Sequence, residues 1–467
     1  LRRTSASSSF QTAKGGTEPV IPFWGTEPVI PFWGTEPVIP FWGTEPVIPF
    51  RPYAWGVFEQ LPTLSDRRIA VRLTADALRH VRAGHPWVFD DSIVSASQEG
   101  DTGDLAIVFN NDRKFVGIGL FDPAGPIALR MVHIGKTATI DQAFWESKIN
   151  AARAIRQPLL DAEFGGHPGY RVVNGENDGL PGLIVDAYDT TLVVKLYSSV
   201  WFPHLRTVLA ALETTMRPSS VVLRLGRNVA GGETYGFDDG DVIAGEIIEG
   251  PVLFTEGGLR FEADVRQGQK TGHFLDQRHN RMRLGRLVTG RDVLDVFAST
   301  GGFGVHAAAG GARSVHSVDI SAPTLAAAER NMALNADRAE VQACEHTTEV
   351  GDAFEVMIAL ARAGSTYDVV VIDPPSFAQK QSSIDVAVRA YTRLTHIGLR
   401  LVRPGGVFVQ ASCSSRVTSD LFFATLLDAA DAAGRELRQM VRTGHDIDHP
   451  VTYPEGAYLK AGFFNAL

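Results

Sequence analysis

The stretch VLDVFASTGGFGVHAAAGGARSVHSVDIS, residues 293–321, decides how the chain folds. An apolar run ends in Asp295, a glycine turn follows from Thr300 to Gly304, small residues then offer a helix, and a second apolar run closes on Asp319. This spacing predicts a strand, turn, helix, strand unit. Such a unit puts glycine where backbone must approach a ligand, aims a helix N-terminus at it, and sets an acid at the second strand end for ribose hydroxyls. The turn reads TGGFG rather than GxGxxG, and an acid ends the first strand as well as the second. Two carboxylates would repel a pyrophosphate, whereas they suit a ligand carrying an ammonium and a ribose. S-adenosylmethionine fits that description.

Downstream of Asp319 the pattern alternates helix and strand: TLAAAERNMALNA, a strand around residues 340–344, the acidic turn GDAF, then YDVVVIDPPSF and VFVQASCSS, ending in a terminal hairpin. Alternation of this kind predicts a mostly parallel sheet covered by helices on both faces. Ligands of such sheets bind at the C-terminal strand ends. Those ends carry Asp295, Asp319, Asp352, Asp373 and Cys413. At residues 373–375, Asp-Pro-Pro stiffens the backbone where a carboxylate emerges, fixing it against a planar substrate. Cys413 ends the next strand, so a thiol is expected beside Asp373. Cys344 is expected to be ordinary packing.

Upstream, QGQKTGHFLDQR is too unusual for a plain linker, and its closeness to the glycine turn suggests that it covers the cofactor. Lys270, Arg278, Arg281, Arg283 and Arg286 cluster there, either as a local phosphate patch or as a solvated helix face. Residues 137–255 read as an α+β connecting module. Its loop GENDGLPGL is a long hairpin turn or a substrate contact. Residues 66–136 hold short alternating strands between polar turns, the pattern of a small β-barrel whose core Trp87 and Phe89 are expected to fill. Residues 1–65 carry GTEPVIPFW repeats of nine residues with two prolines each, too short to stack as a solenoid. An unfolded tail is expected, arising from a misplaced start or a repeat expansion; a chain begun near Asp66 should keep folding and activity.

A net charge of −9 limits any nucleic-acid contact to a local patch. No apolar run is long enough to span a membrane. Two cysteines exclude a disulfide scaffold and a cysteine-rich metal site, so a reducing cytoplasm is expected.

A thiol and a carboxylic acid beside a methyl sulfonium can methylate carbon-5 of a pyrimidine. Thiolate addition at carbon-6 makes carbon-5 nucleophilic, and the acid hydrogen-bonds N3 as charge develops there. GQKTGHFLDQRHNR, DVFASTGGFGVHAA, VDIS, DPPSFA, SCS at residues 412–414 and YPEGAYLK together resemble the RlmI-like family of class I methyltransferases, which make 5-methylcytosine in large-subunit ribosomal RNA. The likeness runs from about Arg67 to the C-terminus, and RHVRAGHPWVF resembles the entry to a PUA-type domain. It implies an α/β protein with a class I (Rossmann-like) methyltransferase domain over residues 256–467, behind the connecting module and a PUA-like barrel. It also implies Cys413 as nucleophile and Asp373 as the ring-contacting acid. Phe274, Gln277, Asp295, Thr300, Gly301, Gly302, Asp319, Asp352 and Asp373 would then surround S-adenosylmethionine. His273 departs from the family, which commonly has an aromatic there. The expected partner is ribosomal RNA, and the chain is expected to be a monomer or homodimer. The alternatives are methylation of a base nitrogen, which needs no thiol, and a non-catalytic RNA-binding assembly factor.

Overall fold

The computed structural model describes residues 58–467 apart from 164 and 379, so the nine-residue repeats lie outside the described residues. Residues 58–65, expected to belong to the tail, are among the described residues. Phe58 and Leu61 are buried in the core of the connecting module, and the Phe58 carbonyl accepts from Arg206.

Six strands (Arg68–Leu73, Trp87–Phe89, Ile93–Ala96, Leu105–Phe109, Phe115–Phe121 and Ile127–Ile134) form one mixed sheet. Burial in Arg68–Leu73 alternates residue by residue, as a strand with one wet face requires. The helix Ala75–Arg82 begins at Thr74, whose hydroxyl accepts from the Ala77 amide at 3.3 Å. Trp87 and Phe89 do not fill this core. Alternate residues of a strand share a face, and Val88, 1% exposed, takes the inner one. Phe89 is therefore 44% exposed, and half-buried Trp87 donates Nε1 to Glu176 at 3.0 Å.

The connecting module is a five-stranded sheet running Asp241–Gly245, Ser220–Leu225, Thr191–Leu196, Leu183–Tyr188, Gly169–Asn174. Helices Gln142–Ala162 and Leu205–Met216 pack on it through Trp145, Ile149, Leu209 and Leu212. A hairpin, Val252–Glu256 with Leu259–Ala263, leads into the segment that carries Phe274 and Gln277.

The last sheet has seven strands: β1 (Asp292–Val296), β2 (Ser314–Asp319), β3 (Glu345–Val350), β4 (Tyr367–Ile372), β5 (Val402–Ser412), β6 (Leu437–Thr443) and β7 (Lys460–Ala466). Their order is β3-β2-β1-β4-β5-β7-β6, with β7 antiparallel to both neighbours and the rest parallel. The near-continuous apolar runs of β1 and β4 follow from burial on both faces. The strand expected at residues 340–344 is instead a helical turn, Ala339–Ala343, and β3 starts at Glu345. β3 is an edge strand with no fully buried position, so its polar sequence EHTTEV hid it. Chain order reverses between β1 and β4, which makes their C-terminal ends the switch point where ligands of open α/β sheets bind.

Among the described residues, no helix is long and apolar enough to cross a membrane.

Candidate active site

Two carboxylates emerge at that switch point. Asp295, at the end of β1, is fully buried and accepts from the Gly304 amide at 3.1 Å through Oδ2. Its Oδ1 is buried without a hydrogen-bond partner among the described residues. Burial, and then the neighbouring Asp373, push the Asp295 carboxyl up to about 7. Burial and the nearby Asp276 push Asp373, after β4, up to about 7 as well. The Gln277 side chain opposes this by donating to Asp373, while its own oxygen accepts from Asn280 at 2.6 Å. Gln277 therefore orients the β4 carboxylate.

The bend between β1 and helix α1 (Gly302–Ala309) contains three left-handed residues: Phe297 (φ 63°), Ser299 (φ 50°) and Gly301 (φ 77°). Only the glycine takes this conformation freely; the other two cost roughly 1–3 kcal/mol each, strain that surrounding contacts must hold. Asp319 is the clamp. Its Oδ2 accepts from the Ser299 amide at 2.9 Å and its Oδ1 from the Ser321 amide at 2.9 Å. Asn331 adds a hydrogen bond to the Thr300 carbonyl at 2.9 Å. A Cβ at Gly301 would lie 2.7 Å from the Ala328 Cβ, and one at Gly302 would lie 2.7 Å from the Arg281 side chain. Asp352 is exposed and caps the helix Ala353–Arg362, accepting from the Phe354 and Glu355 amides at 3.0 and 3.1 Å.

Beneath the bend, Glu256 is fully buried and holds Arg281 through both carboxylate oxygens; His306 lies 3.1 Å from Oε1. Burial works against ionisation of Glu256, yet Arg281, His273 and His306 hold its carboxyl well below the usual range. Arg278 is likewise buried, against Asp446 and Asp448. Neither arginine is a phosphate patch or a solvated face. Each is spent on an internal ion pair that sequence proximity could not reveal.

Lys270 arches over the pocket with φ 55°, its ammonium 4.4 Å from the Phe274 ring centre and 2.8 Å from Asp276 Oδ2. The Tyr458 hydroxyl donates to the same oxygen at 2.9 Å. Burial opposes the charge on Asp276, but Lys270, His449 and Arg171 hold it far below the ordinary carboxylate range. The Cys413 sulfur lies 3.9 Å from the Pro374 carbonyl, directly after Asp373. Burial pushes this thiol up to about 11, helped by Asp373 and opposed by Lys270. The Lys460 ammonium, brought down to about 8 by burial, donates to the Ser414 and Val417 carbonyls at 2.5 and 2.6 Å. Ser376 donates to the Ser414 hydroxyl at 3.2 Å, so the Asp-Pro-Pro loop and the cysteine loop are knit together. Sequence reasoning named YPEGAYLK only as part of a resemblance and gave Tyr458 and Lys460 no role. Cys344 is half-buried, away from this pocket on the β3 side.

Strand order and paired carboxylates at the switch point make this a class I methyltransferase fold. Residues 175–463 match a family model described as S-adenosylmethionine-dependent methyltransferase, and residues 71–133 match one described as a PUA-like domain. A ribosomal RNA large subunit methyltransferase of Deinococcus radiodurans is 45% identical over 405 residues, covering 86% of this chain and 98% of the relative. A ribosomal RNA large subunit methyltransferase I of Shewanella denitrificans is 35% identical, covering 84% and 98%. A solved methyltransferase structure from Streptococcus mutans aligns with a TM-score of 0.71 at 20% identity, over 85% of this chain and 99% of its own, a likeness of fold. The chain belongs to the S-adenosylmethionine-dependent methyltransferase family, with a PUA-like domain before the catalytic one. The residues present fit the cofactor. The unpartnered Asp295 Oδ1 is a ready acceptor for its ammonium, and the bend tolerates no side chain at Gly301.

Proposed function

We propose that this enzyme methylates carbon-5 of a cytosine in large-subunit ribosomal RNA through a transient bond from Cys413 to the pyrimidine. The relatives named as ribosomal RNA large subunit methyltransferases support the RNA substrate and, with it, a cytoplasmic site of action. The observation that carries carbon methylation is the Cys413 sulfur against the Pro374 carbonyl, one residue beyond Asp373.

When bound among Phe274, Asp295, Thr300, Gly301, Gly302, Asp319 and Asp352, S-adenosylmethionine supplies an electrophilic methyl group beside a positive sulfonium. Asp373, whose carboxyl is raised to about 7 by burial, holds its proton in about half of the molecules at neutral pH, and that form can hydrogen-bond N3. A neutral Asp373 also ceases to oppose the charge on the adjacent sulfur. Cys413 gives up its proton to solvent and adds as the thiolate to carbon-6, and the electrons move to make carbon-5 nucleophilic. After carbon-5 has been alkylated, a base or a water molecule takes its proton, the electrons re-form the 5,6 double bond, and the carbon–sulfur bond breaks to return the thiolate. Lys460 positions this sulfur by holding the Ser414 and Val417 carbonyls.

Mass-spectrometric mapping of ribosomal RNA from cells lacking the protein should show one 5-methylcytosine missing. With 5-fluorocytidine in the RNA, carbon-5 has no proton to lose, so the wild type should accumulate a covalent RNA adduct that Cys413→Ala cannot form. The high position of the Cys413 thiol favours a second reading, methylation of a base nitrogen beside Asp-Pro-Pro. Near-full activity of Cys413→Ala would establish that reading and end the first.

A further inference from the structure

A cleft of about 600 Å³ lies outside the catalytic pocket, between the PUA-like domain and the loop before β7. Its PUA-side wall is formed by Asp76, His80, His85, Trp87 and Phe89, and its other wall by Thr452 to Glu455. Three rings meet edge to face: Trp87 and Tyr453 with centres 5.3 Å apart at 76°, His85 and Trp87 at 5.9 Å and 80°, and His85 and Tyr453 at 6.1 Å and 81°. Edge-on packing leaves ring faces available to a planar guest. The walls are fixed in advance. Trp87 Nε1 is held by Glu176 at 3.0 Å, and the Thr452 amide is held by Asn177 at 2.8 Å. The GENDGLPGL loop, left open by the sequence, thus ties both walls.

The lining carries the carboxylates Asp76, Asp91 and Glu455 and no lysine or arginine, with His80 3.4 Å from Asp76 and His85 3.7 Å from Glu455. This excludes a phosphate pocket and suits base edges that donate N–H groups. Outside the lining, Arg79 is already paired with the lining Asp76, and Arg82, in the last turn of helix Ala75–Arg82, is exposed beside it and open to a phosphate backbone. The loop is also short. Tyr458, which donates to the buried Asp276, is five positions beyond Tyr453, so the two are at most about 18 Å apart along the chain.

We infer that this cleft is a nucleobase subsite, in which a base neighbouring the target nucleotide of single-stranded RNA stacks on Tyr453 and meets Trp87 edge to face while the target enters the Cys413 pocket. The inference rests on the proposed RNA substrate. Base stacking on aromatics tolerates any sequence, so the subsite would set affinity and register rather than base choice. A peptide such as the chain's own GTEPVIPFW repeat is less suited, because each repeat brings a glutamate and no base to an acidic cleft.

The test measures anisotropy of a fluorescein-labelled single-stranded oligoribonucleotide binding to the full chain, with calorimetry of S-adenosylmethionine alongside. Tyr453→Ala should weaken RNA binding about ten-fold with an unchanged salt slope, Tyr453→Phe should bind like wild type, and cofactor affinity should not move. Wild-type RNA affinity in both Tyr453→Ala and Trp87→Phe/Tyr453→Ala would overturn the subsite while leaving the substrate proposal intact. A lowered salt slope in Tyr453→Ala would overturn it in favour of a phosphate contact. Competition by a two-repeat GTEPVIPFW peptide with no effect of RNA would overturn it in favour of a peptide groove. Failure of the wild type to bind or methylate RNA would remove the substrate reading and this inference together.

Discussion

Asp295 and Asp373 stand a few residues in space from Asp276 and Glu256, and all four carboxylates answer to burial, yet they end in opposite states. The strand-end pair is pushed up to about 7, whereas Asp276 and Glu256 are held far below the ordinary range. The difference lies in the partner. Glu256 has Arg281 and Asp276 has Lys270, each supplied by the chain itself. Asp295 faces Asp373, with no ion pair of its own among the described residues. One pair is neutralised by a cation that the chain itself brings to it, and the other faces a second carboxylate instead.

The scaffold side should show the largest effect. Glu256→Gln leaves Arg281 charged and buried without its counter-ion, which should destabilise the protein by about 3–5 kcal/mol in denaturant titration. The ligand side should behave in the opposite way. Asp295→Asn should weaken S-adenosylmethionine binding roughly 30- to 100-fold by calorimetry, while the ligand-free melting temperature at pH 8 stays level or rises, because a strained charge is gone. Equal loss of stability in both variants would dissolve the distinction.

A smaller effect follows from the sign of the shifts. A carboxyl whose folded value is raised to about 7 binds its proton more tightly in the native state, so its stabilisation is complete below about pH 4 and is lost as pH rises through about 7. The melting temperature of the ligand-free enzyme should therefore drop by a few degrees between pH 5 and 8, and by less in Asp295→Asn. Glu256 and Asp276 contribute in the other direction, losing stabilisation only under strong acid. The smallest effect is on the chemistry. Asp276 raises both Asp373 and Cys413, so Asp276→Asn should move the pH–rate profile by less than about one unit. Lys270, freed from its partner, would push the profile the same way, toward lower pH.

This contrast also explains what was legible in the sequence. Asp295, Asp319 and Asp373 could be found because each ends an apolar run, and strand-end position is a local property. Their partners could not. Glu256 meets Arg281 across 25 residues, and Asp276 meets Tyr458 across 182. Asp319 was legible as an acid but not as the clamp of a bend in which Phe297 and Ser299 turn left-handed, since neither residue type announces that conformation. Trp87 was visible as an aromatic in a strand; only its neighbour Val88, taking the inner face, turned it toward the cleft.

The clamped bend has a meaning for binding. Because Asp319 and Asn331 already hold the costly backbone angles at Phe297 and Ser299, the cradle is rehearsed before any guest arrives. Association then spends little on ordering the loop, because its backbone angles are set in advance.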